Sequence, residues 1–163
     1  MKPLRIGLLG IGTVGGGTFD VLARNAEEIS RRAGRPITIT HVADKNTTLA
    51  NQVVAGRAVV TDDAFALVKN PDIDVIIELI GGYTIAKQLM LEAINNGKHV
   101  VTANKALLAL HGNEIFGAAR AKGVIVAFEA AVAGGIPIIK ALREGLVANR
   151  IEWIAGIING TTN

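Results

Sequence analysis

The 163 residues include no cysteine, one serine, four Phe, one Tyr and one Trp. Without cysteine the chain offers no disulfide, thiolate zinc site, iron–sulfur cluster or cysteine nucleophile. The lone serine, Ser30, sits in the polar stretch 25–32, a poor setting for a hydrolase nucleophile. No uninterrupted apolar run approaches the roughly 18 residues needed to cross a bilayer, so no membrane partner is expected. Charged residues make up only 19% against 50% hydrophobic ones, the reverse of a disordered chain. The Met1 start, with neither a basic N-terminal region nor a signal-type cleavage site, points to a cytoplasmic protein.

What is abundant is small and β-branched: 24 Ala, 20 Ile, 15 Val and 19 Gly. Such side chains suit stacked parallel strands approached closely by helices. The length fits one domain, or one domain and the beginning of another. The net charge of +3 traces to Arg24, Arg31, Arg32 and Arg35 near one helix end. No aromatic residues are interleaved there, so a solvated helix end matched to its own dipole is favoured and no nucleic-acid partner is expected.

The apolar run 4–9 stops at a glycine and predicts a buried strand. Val14, Thr18, Leu22, Ala26 and Ile29 then mark the face of one helix over 14–33, ended by Gly34 and Pro36. Alternating residues 37–42 predict a second strand, and 46–70 a helical turn, a short strand and a helix capped by Thr61. Residues 73–80 predict a continuous strand, with Asp74 and Glu78 as its only polar positions, followed by a Gly81-Gly82 turn. Ala86, Leu89, Met90, Ala93 and Ile94 form one apolar helix face ended by Asn96-Gly97. Strand 98–102, helix 106–122, strand 124–128, helix 136–148 and strand 151–158 complete the alternation. The pattern predicts an α/β fold: a Rossmann-type, doubly wound, mostly parallel sheet with helices on both faces. Ligands of such sheets sit beyond the carboxyl ends of the strands.

The first strand ends in Gly10-Ile11-Gly12-Thr13-Val14-Gly15. Gly10 permits a tight turn, Gly12 lets the backbone approach a pyrophosphate, and Gly15 lets the helix lie close to the strand. The second strand ends at Asp44, placed to hold an adenosine ribose, although 29 residues after Gly15 is longer than the usual spacing. An acid there favours NAD, while the neighbouring Lys45 could accept the 2′-phosphate of NADP, and the two remain open. Thr102-Ala103-Asn104-Lys105 follows a later strand, where Lys105 is either a surface cation or a group aimed at substrate. Glu129 precedes a loop of small residues, 130–135, whose uncovered carbonyls could line a hard-cation site; close packing is the favoured reading of that loop from its composition. His41, His99 and His111 have no metal spacing and no acid partner in sequence, so each is read as structural.

Taken together, the glycine turn 10–17, Glu78-Leu79-Ile80-Gly81-Gly82, segment 101–107, segment 129–137 and Gly156-Ile157-Ile158-Asn159-Gly160-Thr161-Thr162-Asn163 resemble homoserine dehydrogenase. The resemblance spans nearly the whole chain, and its Thr-Ala-Asn-Lys and Gly-Ile-Ile-Asn-Gly-Thr segments are more distinctive than the glycine motif. It implies an oxidoreductase using NAD or NADP to interconvert L-homoserine and L-aspartate 4-semialdehyde, toward threonine, isoleucine and methionine. It also implies that Ile11 to Val14 contact the cofactor, that Lys45 lies near its ribose phosphate, and that Thr102 and Lys105 approach the nicotinamide. It further implies a sodium ion held by carbonyls of Glu129, Val132, Gly134 and Ile136, against the packing reading. The absence of cysteine agrees with direct hydride transfer, which needs no thiohemiacetal.

Members of that family continue into a substrate and dimerisation domain that supplies the proton-donating lysine and the acids holding homoserine. The expected division is therefore a dinucleotide-binding domain over 1–134 and the start of a second domain over 135–163. The chain alone is expected to bind cofactor without turnover, and the full-length enzyme to be a homodimer. Segment 151–158, lacking neighbours, is expected to pair with a copy of itself or fold back on the domain. A non-catalytic, dinucleotide-sensing Rossmann module is the alternative.

Overall fold

The computed structural model describes residues 1–156. Among them the strands are β1 (Leu4–Leu9), β2 (Ile37–Ala43), β3 (Val59–Thr61), β4 (Val75–Glu78), β5 (His99–Thr102) and β6 (Val126–Ala127). They form one sheet in the order β3-β2-β1-β4-β5-β6, and every pairing is parallel. The order reverses between β1 and β4, which opens a crevice at the carboxyl ends of these two strands. The Rossmann-type doubly wound fold is thus present.

Side-chain alternation along the strands sorts the core onto two faces. On one, Ile6, Leu8, Val75 and Ile77 pack with Phe19 of α1 (Thr13–Arg24) and with Ala50 and Val54 of α3 (Thr47–Val54). On the other, Leu9, Ile76, Val100 and Val126 pack with α4 (Ala64–Lys69), α5 (Ile85–Asn95) and α6 (Lys105–Lys122). The face of α5 is as the sequence predicts: Ala86, Leu89, Met90, Ala93 and Ile94 are its buried residues. Helices do not cover both faces throughout. Over β4 to β6, the α1 side of the sheet is an open apolar cleft of about 1020 Å³, lined by Val75, Ile77, Val101 and Ala127 with Val14 and Val21 at its rim.

Several expectations are corrected. The single helix over 14–33 is two, because Asn25 (φ −103°, ψ 19°) leaves helical geometry between α1 and α2 (Ala26–Ala33). Hydrogen bonds from Asn25 to Val21 and from Ile29 to Asn25 bridge the break. Beyond it α2 buries no residue, and Glu28 pairs with Arg31 and Arg32 on its surface, as a solvated helix end should. The buried residues of α1 are Gly15 and Phe19, whereas Val14 is 60% exposed, because the contact of Gly15 with β1 sets the rotation of the helix. The cap of α4 is Asp63, whose Oδ1 accepts from the Ala66 amide at 2.9 Å; Thr61 instead accepts from the Asp63 amide.

In place of a helix over 136–148 there is one turn, α7 (Ile138–Lys140), continued by a wider π-wound turn Ala141–Gly145. Residues 151–156 form no strand and remain exposed, so they do not fold back into the sheet; residues 157 and 158 lie outside the described part. A strand exists through its partners, and no strand edge lies alongside this segment.

Lys98 ties down the opposite, amino end of the sheet. It is 3% exposed, and its Nζ donates to the carbonyls of Asn70 (2.6 Å) and Ile73 (2.8 Å). Lys98→Met leaves those two acceptors without the ammonium and is expected to lower stability by about 1–3 kcal/mol in urea unfolding. Burial also lowers the Lys98 pKa from its ordinary 10.5, outweighing the opposing effect of Asp74. Between that lowered value and 10.5 the unfolded chain holds more protons than the folded one, so this group makes stability rise with pH there. The same rise should be missing from Lys98→Met when alkaline unfolding curves are compared.

Candidate functional site

The glycine turn fits a dinucleotide for reasons visible in its surroundings. Gly10 has φ +90°, and a side chain there would press on the Leu79 carbonyl across the crevice. A Cβ at Gly15 would collide with the carbonyl oxygen of Gly10, so α1 can seat against β1 only without one. At Gly12, by contrast, no protein atom comes within 4 Å of where a Cβ would be. That open space lies at the N-terminus of α1, which no side chain caps, and the first intrahelical bond runs only from Gly16 to Gly12. The first-turn amides are left to donate outward, the arrangement that receives a pyrophosphate. Ile11 is buried, whereas Thr13 and Val14 are exposed beside the opening.

Asp44 is brought directly to this turn. Its Oδ2 accepts from the Ile11 amide and its Oδ1 from the Asn46 amide, both at 2.8 Å. The carboxylate thus holds the glycine turn in place as well as facing the end of β2, and each oxygen retains a lone pair for a further donor. Lys45, next in the chain, is exposed.

Across the switch point, Glu78 at the end of β4 pairs in register with Leu9 of β1 on one side and Thr102 of β5 on the other. Thr102 is fully buried, and its hydroxyl donates to Glu78 Oε2 at 2.7 Å while accepting from the Asn104 amide at 3.0 Å. Its hydroxyl therefore points into the protein. Asn104 caps α6 by accepting from the Leu107 amide at 3.1 Å. Lys105 is the first residue of α6, and it is exposed. Of the apolar residues that follow it, Leu107 is buried in the core and Leu108 packs partly against it.

The loop after β6 is organised around the Glu129 side chain. The two carboxylate oxygens of Glu129 accept from the amides of Ile139 and Lys140, at 2.9 and 3.0 Å, and so hold α7. Of the four nominated carbonyls, that of Glu129 accepts from Val132 and that of Ile136 from Ile138, while Gly134 follows a left-handed turn at φ +59°. Two of the four oxygens thus accept one hydrogen bond each in local turns, and each keeps a second lone pair.

Two histidines contact only backbone or neutral side chains, whereas His111 has an acid neighbour one turn on, unlike the expectation. His99 Nδ1 accepts from the Ile125 amide at 3.0 Å, His41 lies against Thr40 and Asn70, and His111 is 4.0 Å from Glu114. Sequence reasoning noted Glu78 and Asn104 within motifs but gave neither a role. The available signal was an acid at the last position of a buried strand, where a carboxyl group needs donors.

A family model described as "Homoserine dehydrogenase, NAD binding domain" matches residues 10–129. The chain belongs to the homoserine dehydrogenase family. It is similar to homoserine dehydrogenase of Pseudomonas aeruginosa, with 65% identity over the whole chain and 37% of that protein. The crystal structure of a homoserine dehydrogenase from Thiobacillus denitrificans superposes with a TM-score of 0.93 at 64% identity, covering 100% of this chain and 38% of that one. A hyperthermophilic archaeal homoserine dehydrogenase in complex with NADPH shares the fold, at 21% identity and a TM-score of 0.73 over 90% of this chain and 50% of that one. The chain thus spans somewhat over a third of the length of its most similar relatives. The matched part is an NAD(P)-binding domain of an oxidoreductase family, and no described helix is long and apolar enough to cross a membrane.

Proposed function

We propose that these residues form the cofactor half of an enzyme that oxidises L-homoserine to L-aspartate 4-semialdehyde with NADP or NAD, and runs the reverse reduction, in the cytosol. The observation that carries this reading is that an uncapped helix N-terminus over an open Gly12 follows β1 while Lys105 opens α6 after β5, both at the carboxyl ends of strands in one parallel sheet. Domain 1–134 holds the dinucleotide in this reading, and 135–163 leads into the part that supplies the proton-transferring lysine, the acids that hold homoserine and the homodimer contact.

When bound, the dinucleotide accepts or returns a hydride. The chain's own residues orient and hold charge. The amides of the first turn of α1 bind the pyrophosphate, Asp44 faces the adenosine ribose, and Lys45 meets a 2′-phosphate if NADP is the cofactor. Lys105 extends its ammonium toward the substrate oxygen and stabilises the negative charge that builds there as hydride leaves or arrives. Sodium, which the resemblance would place at the carbonyls of Glu129, Val132, Gly134 and Ile136, has no step assigned to it.

The direct test is a fluorescence titration of the chain with NADPH and NADH. Saturation below millimolar concentration supports the reading. A folded sample that fails to saturate overturns it, and substantial homoserine oxidation by the 163 residues alone would overturn the division of labour.

A further inference from the structure

The chemistry just described makes no use of Glu78, yet this carboxyl group is fully buried at the carboxyl end of β4. Its oxygens serve three donors, two from the turn after β4 and one from the end of β5. Oε1 accepts from the amides of Ile80 (2.9 Å) and Gly81 (3.2 Å), and Oε2 accepts from the Thr102 hydroxyl (2.7 Å). Thr102 Oγ1 accepts from the Asn104 amide, and Asn104 Nδ2 donates back to the Gly82 carbonyl at 2.6 Å. The circuit is closed. It runs from the Gly81-Gly82 turn through Glu78, Thr102 and Asn104 and returns to that turn.

Each member has a geometric reason to be what it is. Gly81 and Gly82 are both left-handed (φ +77° and +70°), so the turn bends back over Glu78 in a conformation that glycine adopts without strain. A buried carboxyl group is costly unless its acceptors are filled, and here both oxygens are. An apolar side chain would pack this strand end but could not join the two loops. Asn104 does two jobs, bonding Gly82 with one side-chain atom and capping α6 with the other. Lys105 is therefore attached, one residue away, to a hydrogen-bonded clasp across β4 and β5.

We propose that Glu78 is a positioning residue: through Thr102 and Asn104 it locks the β4–α5 turn to the β5–α6 turn and so sets where Lys105 stands at the crevice. This rests on the reading that the crevice takes the nicotinamide end of the cofactor. The adenosine half, held at the glycine turn and Asp44, lies outside the clasp.

The test uses the complete polypeptide with variants Thr102→Val, Thr102→Ser and Glu78→Gln. Valine keeps the shape of Thr102 and removes the hydroxyl, serine restores the hydroxyl, and glutamine keeps the acceptor facing Ile80 and Gly81. Three readouts are compared with wild type: kcat for homoserine, inhibition by ADP as a probe of the adenosine half, and amide hydrogen exchange at Ile80, Gly81 and Asn104. Thr102→Val should lower kcat roughly 10- to 100-fold, the scale of an ångström-size misplacement. ADP inhibition should stay within about twofold and the three amides should exchange faster, with Thr102→Ser recovering most of the loss. Glu78→Gln should fall between serine and valine. Unchanged kcat and exchange in Thr102→Val overturn the proposal. So does a loss of kcat matched by an equal loss of ADP binding, which would mark a general fault in folding. A wild-type polypeptide without homoserine turnover refutes the functional reading instead, and the exchange rates still decide whether the clasp holds the two turns.

Discussion

Lys105→Ala, made in the complete polypeptide, is expected to lower kcat for homoserine oxidation by roughly two to three orders of magnitude, as removal of a charge-stabilising donor does. NADPH affinity should change by less than about threefold, because the pyrophosphate and adenosine contacts lie at the other end of the crevice. Two features of the fold support this separation. Lys105 opens α6 with its side chain exposed, so its removal leaves the core intact. Its backbone is held independently of its side chain: its amide donates to the Ala103 carbonyl at 3.0 Å, and Asn104 caps the helix it opens by accepting from the Leu107 amide. Lys105→Arg should recover little, since a planar guanidinium does not present a point charge at the same place. Steady-state kinetics with parallel NADPH titration reads both quantities. If kcat is unchanged while cofactor binding persists, Lys105 does not stabilise the charge at the substrate oxygen and that role falls to another group.

The glycine turn gives the second large effect, and it separates binding from stability. Gly12→Ala is expected to leave the unfolding free energy within about 0.5 kcal/mol, since the new methyl meets no protein atom and φ is −61°. It should nevertheless weaken NADPH by tenfold or more, because that methyl occupies the space through which the pyrophosphate reaches the amides. Gly15→Val should behave in the opposite order. Its Cβ collides with the Gly10 carbonyl, so α1 must lift from β1, with a stability loss of about 3 kcal/mol and loss of binding as a consequence. Gly17→Ala, in the same helix but with open space around it, should stabilise by about 0.5–1 kcal/mol and serves as the control. Urea unfolding and NADPH titration of the three variants side by side check the order. Equal loss of stability in Gly12→Ala and Gly15→Val would contradict it.

How far the sequence reaches differs from element to element. β1 was legible to the residue, because a short apolar run, interrupted only by Arg5 near its start and ended by glycine, has few alternatives in a sheet buried on both faces. The inward face of α5 was legible for a related reason: five apolar positions repeat with the helical period and only one rotation buries them. The same logic misjudged α1. Val14, Leu22 and Ile29 are as apolar as the residues that are buried, and what orients the helix is the absence of a side chain at Gly15, a contact invisible to hydrophobic periodicity. The described residues 151–156 depart from expectation for a different reason. Their β-branched composition reads as a strand, but they have no pairing edge beside them.

The candidate site divides along the same line. The sequence by itself determined the alternating α/β order, the Gly10–Gly15 turn, the acid ending β2 and the lysine opening α6, because each depends on residues close together in the chain. Only the tertiary structure decided that Asp44 bonds the Ile11 amide, that the Thr102 hydroxyl faces inward, that Glu129 caps α7, and that Glu78 joins two turns. Glu78 and Thr102 are 24 positions apart in sequence and adjacent in register. Local pattern names the side chains available at a strand end, but which donor a buried carboxyl group meets is set by the neighbouring strand, and that neighbour exists only once the sheet has assembled.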